Sequence, residues 1–210
     1  MHPPEEVLLA FASGQADLPR RVMVEGHLDT CAACRRAVGE LSSAGGALVA
    51  GLREEAPPAW IWERLRARIE STPQGAPPNS PLAGLPLPQG AVRELPEIGA
   101  LRWRWALARG AKYAVLTGDR FTGSVLLLAR MPPERFYPRH VHEGPEDVLV
   151  LAGGYEDQRG HYEAGEYTLY EPGSEHRPLT EPGEECWVLT RLEAPNRFLG
   201  WRGWLQRLAG

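Results

Sequence analysis

The chain has 210 residues, enough for one large or two small domains. With 27 acidic residues against 23 basic, its net charge of −4 argues against a basic face that grips DNA or RNA directly. No run approaches the roughly 18 apolar residues of a membrane span, and Met1 to Glu6 lack the basic-then-apolar layout of a secretion signal, so a soluble cytoplasmic protein is expected.

The first third reads as four helices. Residues 3–14 start with Pro3 and Pro4, carry Glu5 and Glu6 at the positive helix end, and repeat Val7, Leu8 and Phe11 at helical spacing. A second helix is expected from Leu18 to His27, with Pro19 in its first turn. A third runs from Cys31 to Leu52, weakened locally by Gly45 and Gly46. A fourth follows Pro57 and Pro58 and covers Ala59 to Glu70. Its apolar residues Trp60, Ile61, Leu65 and Ile69 recur every three to four positions, more apolar surface than a lone helix can hide. That stripe either closes its own bundle or enters a groove on a partner.

Three cysteines, Cys31, Cys34 and Cys186, make a poor disulfide framework, and the Cys31-x-x-Cys34 pair reads as metal-binding or redox-active. His27 lies four residues before Cys31 and seven before Cys34, offsets that stay on one side of a helix or helix–turn–helix. One imidazole and two sulfurs are a donor set that zinc prefers, and a structural zinc site wants a fourth ligand. His2 is the candidate, because no other His or Cys remains in the helical half. The plainer alternative is a cysteine pair packed in a small core, with His2 unengaged.

Residues 72–90 are dense in Pro and Gly and read as a partly stiff linker between a helical domain, 1–71, and a second domain, 91–210. Beyond it the period changes to two. Leu101, Trp103 and Trp105 alternate with Arg102 and Arg104; a turn at Ala108 to Gly110 leads into Lys112 to Thr117; Ser124 to Arg130, Tyr167 to Tyr170 and Cys186 to Leu192 are further short strands. Many short strands with turns between them predict a small β-barrel or jelly roll. A short C-terminal helix is expected from Asn196 to Leu208. The fold class is therefore α+β and multidomain, a small helical zinc-binding bundle followed by a β-barrel.

Within the β half, His140 and His142 are two apart and point to the same face of a strand. Glu146 follows a Gly-Pro bend, and His176 comes after a second turn at Glu171 to Glu175. Three imidazoles and a carboxylate on a β scaffold suit a divalent transition metal. With His2 and His27, five of the six histidines are then accounted for, leaving His161.

These residues resemble the two cupin motifs. The first reads His140-x-His142-x3-Glu146-x6-Gly153, with Glu134 where the motif opens on glycine. The second reads Gly165-x5-Glu171-x-Gly173-x2-His176, with Glu171 in place of the usual Pro and Thr180 in place of the usual Asn. All four ligand positions are kept. A His-x3-Cys-x2-Cys helical module followed by a cupin resembles the ChrR type of zinc-binding anti-sigma factor over nearly the whole chain. That resemblance implies His2 as the fourth zinc ligand. It implies that the helical domain binds and inhibits a group IV, extracytoplasmic-function-type sigma factor. It also implies that the cupin receives an oxidative signal, singlet oxygen or organic hydroperoxide, and triggers release.

The barrel metal is expected to be zinc, with iron, manganese or nickel as alternatives. A different reading is a metal-dependent, dioxygenase-like cupin enzyme with the zinc module as accessory, because three His and one Glu also leave coordination positions open for substrate. No substrate or general base is identifiable, so a regulatory protein rather than an enzyme is the expectation. Cys186 is a further oxidisable group, although a cysteine on an apolar strand is more often there for packing.

Overall fold

The computed structural model describes residues 1–71, 81–95 and 100–200. Five helices come first: α1 (Glu5–Ala12), α2 (Leu18–Thr30), α3 (Ala32–Ala50), α4 (Ala59–Ser71) and α5 (Gln89–Glu94). Twelve strands follow: β1 (Arg104–Trp105), β2 (Lys112–Gly118), β3 (Val125–Met131), β4 (His140–Val141), β5 (Glu146–Ala152), β6 (Gly154–Asp157), β7 (Gly160–Glu163), β8 (Tyr167–Tyr170), β9 (Glu175–His176), β10 (Leu179–Thr180), β11 (Cys186–Leu192) and β12 (Arg197–Phe198).

Local chemistry sets the helix starts. Asp17 caps α2, its carboxylate accepting from the Arg20 amide at 2.8 Å. Cys31 ends α2 and caps α3, its sulfur accepting from the Cys34 amide at 3.5 Å. The metal-type Cys-x-x-Cys is thus also the joint between two helices. α3 runs through Gly45 and Gly46 without a break.

The barrel is built from a six-stranded sheet in the order β1-β2-β3-β11-β5-β8 and two three-stranded sheets, β10-β6-β7 and β12-β4-β9, all with antiparallel pairs. The two-residue period divides the large sheet cleanly. Leu126, Leu128, Leu149, Tyr167 and Leu189 face the helices and join Val22, Met23, Val24 and Leu28 of α2 in one continuous core. The alternate residues, including Val148, Val150, Tyr170 and Cys186, fill a second core inside the barrel with Tyr155 and Tyr162.

Three expectations change. The residues 81–90 assigned to the linker pack down: Leu82 and Leu87 are buried in the shared core, and α5 begins at Gln89. Proline there stops the helix from starting earlier but does not prevent apolar burial; the remaining part, 72–80, lies outside the described residues. α5 is held where Gly90 crosses α2, a crossing so close that a β-carbon at Gly90 would fall 2.5 Å from the Glu25 carbonyl oxygen. Asp29 caps it by accepting from the Gly90 amide at 2.7 Å.

The C-terminal stretch expected to be helical from Asn196 starts instead as β12, pairing Arg197 with Val141 and Phe198 with His140. A free strand edge offers more to this segment than an isolated helix with two glycines; residues 201–210 lie outside the described residues. Finally, the alternation from Leu101 gives only a two-residue ladder, Arg104 with Tyr113 and Trp105 with Lys112.

Two candidate metal centres

In the helical module, the candidate ligand atoms of His2, His27, Cys31 and Cys34 all lie within 4.8 Å of one another. The His2 Nδ1 atom is 3.4 Å from both sulfurs, and His27 Nε2 is 3.3 Å from Cys34 Sγ. His27 Nδ1 lies 2.8 Å from the Gly165 carbonyl oxygen of the barrel. A carbonyl can only accept, so Nδ1 carries the proton and the Nε2 lone pair faces the sulfurs. Burial pushes the His27 pKa down, keeping the ring neutral. Cys31 is only slightly buried, and amide donors at the start of α3 outweigh that burial and pull its thiol down. Burial and the Cys31 sulfur push Cys34 up to about 11. Two sulfurs and two imidazoles converging on one point are a donor set that suits zinc.

The barrel brings together His140, His142 and His176, all buried, with one ligand atom of each within 4.8 Å of the others. Pairing of β4 with β9 sets His140 directly opposite His176, and their Nε2 atoms are 3.0 Å apart. Every Nδ1 is spoken for by an acceptor. His140 donates to the Pro138 carbonyl at 2.8 Å and His142 to the Ser174 carbonyl at 3.1 Å, with the Ser174 hydroxyl at 2.9 Å. His176 donates to the Asp157 carboxylate at 2.8 Å. All three Nε2 lone pairs therefore converge, and His142 Nε2 is left buried without a hydrogen bond. Such an orphaned atom fits a metal ligand. Burial, then the neighbouring His176, drives the His140 pKa down to about 4.

Glu146 is adjacent to this triad without joining its tightest grouping. Its Oε2 lies 3.1 Å from His142 Nε2 and accepts from Asn196 Nδ2 at 2.6 Å. Burial pushes its pKa up, but the His142 and Asn196 contacts outweigh that and bring it below the usual carboxylate value. His140, His176 and Glu146 line a cavity of about 510 Å3 with largely apolar walls that include Leu127, Val148 and Val188. Cys186 lines it too, but burial and then Glu181 and Glu184 push its thiol up to about 12, so it is not a reactive thiolate near neutral pH.

The departures from the cupin motifs are absorbed locally. Glu134 adopts the left-handed conformation its glycine counterpart would take, with φ +56°. Thr180 fastens that turn, donating to the Pro132 carbonyl at 2.7 Å and accepting from the Arg135 amide at 3.0 Å.

Two groups of side chains are absent from the sequence reading. Asp157 orients His176, and its carboxyl is held down at about 2: burial raises it, but donation from His176 and Tyr170 outweighs that. Asp157 ends β6 at the hairpin to β7, and only the folded strand pairing brings it to His176. The second group is a buried ion cluster between helix and barrel. Arg191 of β11, almost fully buried, donates from Nε to Asp17 at 3.0 Å and from Nη1 to Asp147 at 3.0 Å. Arg20 of α2 donates to the same Asp147 oxygen at 3.0 Å and the Tyr167 hydroxyl to its other oxygen at 2.6 Å. Asp147 stands next to Glu146 but points to the opposite face of the sheet.

Of the four residues expected to meet a partner, Trp60, Ile61, Leu65 and Ile69, all are exposed, as is every residue of α4. At 3.6 residues per turn, Ile61, Leu65 and Ile69 share an arc of roughly 100° that also includes Trp62, whereas Trp60 lies about 100° beyond its edge. Trp62 was missed because the three-to-four spacing was counted from Trp60. His161 is surface-exposed and pairs with Glu181.

Residues 92–195 match the family described as the ChrR cupin-like domain. The chain is 31% identical over 205 residues to the anti-sigma-E factor ChrR of Cereibacter sphaeroides, covering 94% of this chain and 91% of that protein. It is similar in structure, with a TM-score of 0.69 and 26% identity, to Rhodobacter sphaeroides ChrR solved in complex with SigE; the match covers 91% of this chain and 97% of that one. An RmlC-like cupin protein from Ralstonia eutropha matches with a TM-score of 0.43 and 16% identity, over 51% of this chain and 78% of that one. Over the helical module and barrel together, the chain belongs to the ChrR family of anti-sigma factors.

Proposed function

We propose that this chain binds and inhibits a group IV, extracytoplasmic-function-type sigma factor in the cytoplasm, and that α4 is the main contact. The observation that carries this is the apolar face of α4, which no described residue buries, in a chain similar over nearly its whole length to a protein solved with a sigma factor. Trp62 and Ile69 are 61% and 55% exposed, a surface that an isolated chain leaves in water at a cost. Leu48, Val49 and Leu52, at the end of α3 and just beyond it, are exposed as well. An amphipathic helix of this kind lays its face into an apolar groove. Residues 1–71 act as the anti-sigma domain, 72–90 as its connection, and 91–210 as the sensory cupin.

His2, His27, Cys31 and Cys34 hold zinc, which fixes a bundle too small to be stable on its own core. His140, His142, His176 and Glu146 hold a divalent metal, zinc before iron, manganese or nickel. Such a metal supplies an electrophilic centre at the floor of the apolar cavity. The cavity is the entry for an oxidative signal, singlet oxygen or an organic hydroperoxide, whose arrival loosens the hold on the sigma factor.

Burying each large apolar side chain of α4 is worth roughly 1.5–3 kcal/mol. Replacing Ile61 and Leu65 together by Asp should therefore weaken binding to the cognate sigma factor at least about 100-fold, with zinc content unchanged. Isothermal titration with metal analysis on the same sample reads both. Undiminished affinity of the double variant would remove α4 from the interface.

A further inference from the structure

The two halves of the helical zinc cluster are held in different ways. Both sulfurs are set by the helices themselves, since Cys31 caps α3 and Cys34 lies one turn inside it. The barrel holds the imidazole of His27 and the backbone beside His2. The turn between β7 and β8 supplies the Gly165 carbonyl that takes the Nδ1 proton of His27 at 2.8 Å. Two residues on, the Tyr167 amide donates at 3.2 Å to the carbonyl of Met1, next to His2. The Tyr167 ring meets His27 edge-on at 6.1 Å. The turn is itself anchored, the Gly165 amide donating to the Val150 carbonyl of β5 at 2.8 Å.

We propose that the Gly165 turn of the barrel is the positioning element of the helical zinc site, so that zinc binding and docking of the barrel on α2 reinforce each other. This rests on the reading of His2, His27, Cys31 and Cys34 as a zinc site. The Gly165 carbonyl selects the tautomer of His27 that offers Nε2, and loss of such an outer partner typically weakens a metal site 10- to 100-fold. Coupling of this kind is reciprocal: whatever helps the barrel hold the turn tightens zinc, and zinc tightens the docking by the same factor. At the opposite end of α2 the Asp17–Arg191 ion pair, about 15 Å away at ten residues of helical rise, ties the helix to the barrel beside Arg20–Asp147. α2 is thus fastened to the barrel at both ends, and the end nearer the rest of the anti-sigma module is the metal-dependent one.

Position 165 offers a way to move the turn. Gly165 has φ +89°, and a β-carbon there would sit 3.1 Å from the Thr30 hydroxyl at the end of α2. Gly165→Ala therefore strains the turn and pushes it off α2 without touching a ligand. The experiment titrates cobalt(II) into the full-length chain against a competing chelator, following the thiolate-to-cobalt absorption, which only the cysteine-containing site can give.

The expected result is cobalt affinity at least about 10-fold weaker in Gly165→Ala than in wild type; equal affinity overturns the proposal. If the variant does not fold, nitrogen-15 spectra of the zinc-loaded wild type decide. A slowly exchanging proton on His27 Nδ1 with metal on Nε2 is expected, and metal on Nδ1 overturns the proposal. A wild-type chain with no thiolate-to-cobalt band would instead remove the zinc reading beneath it.

Discussion

Each barrel histidine donates from Nδ1 to an oxygen the fold has placed for it, and Asp157 is the one ionised acceptor among them. A charged acceptor raises the basicity of the ring it holds. Asp157→Asn should accordingly weaken metal retention by the barrel about 10- to 100-fold in chelator competition, while the helical site is unaffected. Arg191 is the other residue on which much depends. Removing it leaves Asp17 and Asp147 buried without their shared cation, and Arg191→Leu should cost about 3–5 kcal/mol in urea unfolding.

Asp17 gives the pH dependence. Its carboxyl is lowered from 3.8 to about 2, burial being outweighed by donation from Arg191, the Arg20 amide and Ser124. A depressed carboxylate contributes stability that is complete above the unfolded pKa and is lost as pH falls through the folded one. The contribution, about 2 kcal/mol, should thus disappear between roughly pH 4 and pH 2. Asp17→Asn, which keeps a capping side chain, should flatten that part of the unfolding profile.

Among the elements, those with local signals were the most legible. Tyr167 to Tyr170 and Cys186 to Leu192 are strands over those same residues, because their apolar runs are bounded by turn residues on both sides. All four early helices occupy their expected places within a few residues, since each has a Pro, Asp or Cys start. α5 and β12 were not legible. Both depend on surfaces that exist only after folding: α5 on the Gly90 crossing and the Asp29 cap, β12 on the free edge of β4. Gly90→Ala should therefore destabilise by roughly 1–3 kcal/mol in denaturant unfolding, because the clash is with backbone and cannot be relieved by a rotamer change. The two groups of candidate ligands were legible because ligand spacing is a local property, whereas Asp157, Arg191 and the Gly165 carbonyl act across sheet pairings that no spacing reveals.

At the scale of the whole molecule, bundle and barrel share one core, in which Met23 and Val24 of α2 pack with Leu126, Leu149 and Leu189 of the large sheet. A Pro-rich connection suggested two bodies on a tether, but the apolar faces of α2 and α5 close onto the sheet. A change at the barrel's histidine cluster can therefore reach the helical module through packed side chains. Glu146 faces the metal site while Asp147, its neighbour on β5, joins the ion cluster under α2. Among the described helices, α4 alone contributes no buried residue to this shared core. The account is tested most directly by purifying the full-length chain with its cognate sigma factor and measuring stoichiometry and metal content on the same sample. It predicts one sigma subunit per chain, one zinc in the cysteine-containing site and one divalent metal in the barrel. A chain that binds no sigma factor, or one that binds it with the cysteine site free of metal, would contradict it.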